Sequence, residues 1–174
     1  VNIPIYTAME QLYRNYLIRD WQPSDRQNVA TLISSVLAEY GLTWEPQGTD
    51  RDALEVESAY LQTGGEFWVI ESDRQLVGTA AYHPISKGHK AVEIRKMYLL
   101  SSVRGQGLGS FLLQSLESRI QAQGYQEIWV ETASVLKEAI WLYERRGYQQ
   151  ATGVQTPRCD RLYIKTILNN LDQL

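Results

Sequence analysis

Apolar residues along this chain follow two rhythms, one of period two and one near 3.6, separated by short polar stretches. Residues 1–13 show neither. Residues 16–20 read as a first strand. Pro23, Ser24 and Asp25 then open a helix, with Ser24 and Gln27 spaced as a capping box. Val29, Leu32, Ile33, Val36 and Leu37 make its apolar stripe, and Gly41 follows its end. A loop over 44–48 leads to a second helix, capped by Thr49 and Asp50. It runs to about residue 62, with Ala53, Leu54 and Leu61 as its buried side.

Three strands with short connections follow, over 66–71, 75–82 and 91–100. The first is a run of strand formers, Phe67, Trp68, Val69 and Ile70. A helix is predicted over 108–123, with Phe111, Leu112, Leu113, Leu116 and Ile120 at helical spacing and Gly124 as its stop. Next come a strand over 127–131 and a helix over 135–146. Val135, Leu136, Ala139, Ile140 and Tyr143 share one side of that helix, and Gly147 ends it. Strands over 148–152 and 161–168 close the chain. The order is β-α-α-β-β-β-α-β-α-β-β, which predicts a mixed α/β sheet flanked by helices. The length of 174 residues fits one domain spanning 1–174, with residues 1–13 as a candidate extension.

The strand over 91–100 changes phase. Val92 and Ile94 are the apolar positions of its first half, Met97 and Leu99 of its second. A shift between Arg95 and Lys96 fits a β-bulge, a device frequent beside active sites. A strand buried on both faces near its end gives the same pattern.

Directly after that strand comes Val103-Arg104-Gly105-Gln106-Gly107-Leu108-Gly109-Ser110, three glycines in five residues at the start of a helix. Glycines let backbone approach a ligand closely, and a helix start adds unpaired N–H groups and the positive end of a dipole. Together these make a phosphate site; the alternative is a tight turn with no ligand. A dinucleotide fingerprint counted from Gly105 needs a third glycine where Ser110 stands, and no Walker run exists.

The spacing Arg-x-x-Gly-x-Gly, at Arg104, Gly107 and Gly109, resembles the GNAT family of N-acetyltransferases. So does the strand end Met97-Tyr98-Leu99 ahead of it, and the element order matches that fold throughout. The resemblance is most specific over 91–150, which it implies is the cofactor-binding core. It implies a mostly antiparallel central sheet and an enzyme that moves acetyl from acetyl-CoA to a primary amine. It places the pyrophosphate of coenzyme A on the loop of Arg104, Gly105, Gln106, Gly107, Leu108, Gly109 and Ser110. It places the pantetheine arm on Met97, Tyr98 and Leu99, where a bulge frees N–H groups to polarise a thioester carbonyl. The segment Ala139 to Tyr148 resembles the family's Ala-x-x-Leu-Tyr-x-x-x-Gly-Phe/Tyr motif, which makes Tyr143 the acid for the departing thiolate. Without that motif Tyr143 reads as a core aromatic. Glu93, the lone acid on the apolar strand, is the first choice of base, with Glu131 and Asp160 as runners-up. Its plain alternative is an exposed residue paired with Arg95 or Lys96. One departure stands out: many members carry asparagine where this chain has Leu136.

Composition narrows the rest. A net charge of −3 argues against nucleic acid as the main partner. One cysteine, Cys159, excludes an internal disulfide and a multi-cysteine metal site, and two histidines make zinc an unexpected ligand. Cys159 has no recognisable histidine partner, so it reads as a loop thiol near the acceptor pocket. No metal is expected. No apolar run reaches membrane-spanning length, so a cytoplasmic protein, monomeric or homodimeric, is the expectation. A small-molecule amine or a peptide is the expected acceptor. The first two helices and the loops 83–90 and 153–160 are expected to shape its pocket, with Trp44, Glu45, Tyr60, Arg158 and Asp160 as candidate lining. The competing function is a non-catalytic acyl-CoA sensor, which needs the loop but not Tyr143 or a base.

Overall fold

A computed structural model describes residues 7–167; residues 1–6 of the candidate extension and the predicted strand end at Leu168 lie outside the described residues. Eight strands form one sheet: β1 (Glu10–Tyr13), β2 (Tyr16–Asp20), β3 (Glu66–Ser72), β4 (Gln75–Pro84), β5 (Ala91–Leu99), β6 (Glu127–Thr132), β7 (Gln149–Ala151) and β8 (Arg161–Thr166). They lie in the order β1-β2-β3-β4-β5-β6-β8-β7. All neighbours are antiparallel except β5 and β6, which run parallel. Among the described residues four α-helices accompany the sheet: α1 (Arg26–Glu39), α2 (Arg51–Leu54), α3 (Leu108–Ala122) and α4 (Lys137–Arg145).

The unbroken apolar run of β3 follows from burial of both sheet faces. Phe67 and Val69 point to one face, where they pack with Val29, Ile33, Val36 and Leu37 of α1. Trp68 and Ile70 point to the other, where Leu112, Leu113, Leu116 and Ile120 of α3 cover them. Gly107, at φ +83°, precedes the first residue of α3. No helix among the described residues is long and apolar enough to cross a membrane.

Several elements differ from the sequence expectation. β1 lies inside the segment that shows no period. It is an edge strand held by backbone pairing to β2 rather than by a buried face, and its Leu12 is 72% exposed. The second helix is broken. One α turn, α2, is followed by a π turn at Glu57–Leu61, and the buried positions are Ala53, Val56 and Tyr60. Leu61 faces solvent because Tyr60 turns inward instead, its hydroxyl donating to the Asp52 carboxylate. At the start of α1 the box uses other residues than Ser24 and Gln27: the Asp25 carboxylate accepts from the Gln22 N–H at 2.8 Å. Asp25 is anchored there by Arg19, at 2.8 and 2.9 Å. α4 begins at Lys137, leaving Val135 exposed ahead of it.

Candidate active site

β5 and β6 pair through only three positions, Ala91 with Glu127, Val92 with Ile128 and Glu93 with Trp129. Beyond Glu93 the strands part. β4 still covers one edge of β5 and β8 one edge of β6, so the two free edges face each other across a cleft. The parting coincides with the predicted irregularity. Thr79 pairs with Tyr98 and Ala81 with Arg95, so β5 has one residue more than β4 in that interval. Lys96, in the bulge, sits at φ +51°. The Thr79 hydroxyl donates to its carbonyl at 2.6 Å. The Leu100 N–H points to Val77 of β4. Strand alternation therefore turns the N–H groups of Leu99 and Met97 to the free edge.

Lys96 carries a positive φ without being glycine because its side chain is fixed from below. Its ammonium, 2% exposed, lies 2.7 Å from Asp50 and 3.1 Å from Asp52. Asp50 is fully buried and also receives both outer nitrogens of Arg158, at 2.7 and 2.8 Å, and the Glu45 N–H at 2.9 Å. Burial opposes its charge, but Arg158 and Lys96 outweigh burial and hold its carboxyl down to about 2. This network ties the turn before α2, the bulge and the loop before β8 into one unit. It explains why Asp50 does not cap α2 with its side chain.

The glycine loop forms the other end of the cleft. The backbone N–H groups of residues 105–110 find no acceptor among the described residues. The first helical bond here is Phe111 N–H to the Gly107 carbonyl, at 3.0 Å. Gly105 and Gly107 have φ of +73° and +83°, and a Cβ on Gly107 would stand 2.9 Å from the Tyr13 hydroxyl. Arg104 spends most of its guanidinium on structure. Nε donates to the Leu99 carbonyl at 2.9 Å, Nη1 pairs with Glu39 at 2.8 Å, and buried Nη2 has no acceptor. A run of six N–H groups at the start of a fifteen-residue helix, beside an orphaned guanidinium nitrogen, fits a pyrophosphate.

The cleft between these ends has a volume of about 580 Å³. Of the predicted cofactor residues, Met97, Tyr98, Leu99, Arg104, Gly105, Gly107, Gly109 and Ser110 line it. Leu108 and Gln106 do not. The Leu108 side chain is core, and the Gln106 side chain accepts from the Tyr16 hydroxyl at 2.9 Å and donates to the Ser102 carbonyl at 3.3 Å. Only their backbone groups are available. Leu136 lines the cleft as an apolar wall.

Tyr143 comes from the inner side of α4 and is 5% exposed, packed against Tyr148 and Tyr163 at 5.5 and 6.2 Å between ring centres. It borders the same cleft as Met97 and Tyr98. Burial above all, with Tyr98 and Cys159 nearby, raises its hydroxyl above the usual tyrosine range, so it stays protonated at neutral pH. Burial likewise pushes Tyr98 up to about 12, against the opposing pull of Arg158.

Glu93 stands where β5 and β6 part and borders both the cleft and a shallower vestibule outside it. Its partner is His83, at 3.3 Å, rather than Arg95 or Lys96. The bulge explains this, since it turns Lys96 into the interior. Glu131 also borders both spaces, but its oxygens accept from the N–H groups of Gln155 and Thr156, each at 2.8 Å. Asp160 lies outside the cleft and holds Ser134, at 2.6 Å to N–H and 2.7 Å to hydroxyl. Burial, with Glu131 adding, pushes the Cys159 thiol up to about 11, so it is a neutral wall of the cleft.

Among the expected acceptor residues, Arg158 lines the cleft and Glu45 the vestibule. Tyr60 is buried, Trp44 packs against the core cluster that includes α1, and His83, at the end of β4, meets the site through Glu93. The vestibule carries Glu45, Asp52, Glu55, Glu93 and Glu131 against Arg51 and Arg95. Sequence reasoning missed Tyr40, Thr49, Lys137 and Trp141, all of which line the cleft. Lys137 and Trp141 were findable, since four-residue spacing sets them on one helix face; Tyr40 and Thr49 arrive only through tertiary packing. Among the described residues, no group of three or more His, Cys, Asp or Glu is placed to hold a metal ion.

Known proteins resemble this chain in sequence and in fold. Residues 29–148 match the model of the acetyltransferase (GNAT) family. The chain is 34% identical over 128 residues to the uncharacterised N-acetyltransferase YjgM of Escherichia coli, covering 72% of this chain and 77% of that one. It is 31% identical over 102 residues to N-acetyltransferase 8F1 of Rattus norvegicus, covering 57% of this chain but 46% of the rat protein. The chain thus spans about half the length of that relative. In fold it is similar to a GNAT-family acetyltransferase from Staphylococcus aureus, with a TM-score of 0.81 at 19% identity, covering 87% and 98% of the two chains. It is also similar to the spermidine N-acetyltransferase of Vibrio cholerae, solved with CoA and spermine, with a TM-score of 0.65 at 14% identity, covering 88% and 96%.

Proposed function

We propose that this chain, which belongs to the GNAT acetyltransferase family, moves the acetyl group of acetyl-CoA to a primary amine that reaches the cleft through its acidic vestibule. The observation that carries the reading is the run of acceptor-less N–H groups at 105–110, at one end of a cleft bordered by Tyr143 and Glu93. That loop holds the pyrophosphate, and the free edge of β5 at Met97 and Leu99 holds the pantetheine arm. The thioester supplies an acetyl group activated toward amines.

The protein's own groups do the rest. The N–H groups of the bulged edge meet the negative charge that develops on the carbonyl oxygen. Glu93 accepts the proton of the arriving ammonium, so that nitrogen has a free pair to form the new C–N bond. Tyr143 gives a proton to sulfur as the C–S bond breaks, and the second proton, shed by the new amide nitrogen, restores the phenol, so that only the proton taken by Glu93 leaves to solvent. Its raised pKa keeps the phenol loaded, at the cost of a weaker acid. Glu93 suits the base role better than Glu131, whose oxygens accept from two backbone N–H groups, or Asp160, whose oxygens accept from the N–H and hydroxyl of Ser134. The vestibule carboxylates favour an acceptor that arrives as a cation.

The test is acetyl-CoA turnover over a panel of amines, read as free thiol and acetylated product. At least one cationic primary amine should be acetylated. In single turnover with that amine, Tyr143→Phe should be slower by about 10²–10⁴-fold with unchanged CoA affinity. Transfer at the parent rate would remove Tyr143 from the role. CoA binding with no product from any amine would favour a sensor.

A further inference from the structure

Helix α4 carries a stripe that the proposed transfer does not use. Lys137, Trp141 and Arg145 recur every four residues and so share one face. Trp141 is 60% exposed, whereas Trp68 and Trp21 are buried. Its indole lines the cleft together with Lys137, and the Arg145 guanidinium lies 5.0 Å from its ring centre. The other charges of this helix are engaged. Glu138 accepts from the Tyr40 hydroxyl at 3.2 Å and Glu144 from the Tyr163 hydroxyl at 2.8 Å, and Arg146, just beyond, pairs with Glu117. Lys137 and Arg145 have no carboxylate partner among the described residues. The stripe adjoins the glycine loop: a Cβ on Gly109 would stand 3.7 Å from Leu142, the residue after Trp141.

An exposed indole flanked by two uncompensated cations, next to a run of free N–H groups, is matched by a ligand with an aromatic base and an anionic group beside its pyrophosphate. The nucleotide end of coenzyme A has both, an adenine and a ribose 3′-phosphate. We propose that Lys137, Trp141 and Arg145 form the platform for that end, with the indole stacking on the adenine and the two cations facing the 3′-phosphate. This rests on the acetyl-CoA reading of the cleft and adds the residues that recognise the part of the molecule remote from the reaction. It explains why a large aromatic is kept in solvent on a helix whose opposite face is already packed.

Calorimetric titration tests it without any turnover. The probes are CoA, dephospho-CoA, which lacks the 3′-phosphate, and 4′-phosphopantetheine, which lacks the nucleotide. Trp141→Ala should weaken CoA about fivefold or more and leave 4′-phosphopantetheine unchanged, while Trp141→Phe keeps most of the affinity. The parent should prefer CoA to dephospho-CoA by about threefold or more at low salt, and the double variant Lys137→Gln, Arg145→Gln should lose that preference. All three positions are exposed, so folding should survive, and circular dichroism checks it. Unchanged CoA affinity in Trp141→Ala, or a preference that persists in the double variant, overturns the platform while the cofactor reading stands. A parent that binds no CoA at all sinks both.

Discussion

Replacing Asp50 by asparagine removes the charge that Lys96 and Arg158 share, leaving Lys96 with Asp52 at 3.1 Å and Arg158 with no carboxylate partner among the described residues. The carboxylate is fully buried and takes four donors: Lys96 at 2.7 Å, Arg158 at 2.7 and 2.8 Å, and the Glu45 N–H at 2.9 Å. The variant keeps the shape but turns an amide toward two cations. Breaking a buried pair by removing one partner costs ~3–5 kcal/mol. At ~2–4 °C per kcal/mol for a chain of this size, the melting temperature should fall by about 6–20 °C. The carboxyl is held at about 2, below its ordinary 3.8. Its contribution is therefore present above pH 3.8 and is lost as pH falls through about 2. That depression corresponds to roughly 2 kcal/mol. Urea titrations from pH 7 down to 2 measure both effects. The parent should lose this increment below about pH 4 and the variant should lack it. Because Lys96 sits in the bulge, acetyl transfer should fall by more than CoA affinity does. A loss under ~1 kcal/mol at pH 7, or identical pH profiles, would mean that the network is not a buried ionic clamp.

The two loop glycines should separate in their effects. Gly107→Ala meets both a φ of +83° and the Tyr13 hydroxyl, so it should cost ~1–2 kcal/mol and weaken CoA. Gly109 has an ordinary φ and only 3.7 Å contacts for a new Cβ, so Gly109→Ala should melt near the parent temperature yet still weaken CoA by blocking backbone approach. Unchanged CoA affinity in both, by calorimetry, would make the loop a turn. Glu93→Gln should lower transfer at neutral pH and leave CoA affinity within about twofold, as expected of general-base loss; a parent-like single-turnover rate would pass the role to water or another acid.

Much of this site was legible because its signals are local. The phase shift between Arg95 and Lys96 located a bulge that the register confirms, and three glycines in five residues located the loop. Other features were closed to sequence reasoning for a physical reason. Asp50, Lys96 and Arg158 lie far apart in the chain and meet only after the sheet forms, so nothing near Lys96 says that its ammonium is buried. β1 has no buried face and so no period to read. The second helix was drawn through because its apolar residues suit one helix, while the buried Tyr60–Asp52 contact that accompanies the π turn is a tertiary matter.

Coenzyme A in the cleft between β5 and β6 is held, on this reading, by the backbone of 105–110. A crystal structure of the complex with CoA tests it most directly. Pyrophosphate oxygens should lie at about 3 Å from several of those N–H groups, with the sulfur between Met97 and Tyr143. A pyrophosphate bound elsewhere, with the N–H groups of 105–110 facing only water, would contradict it.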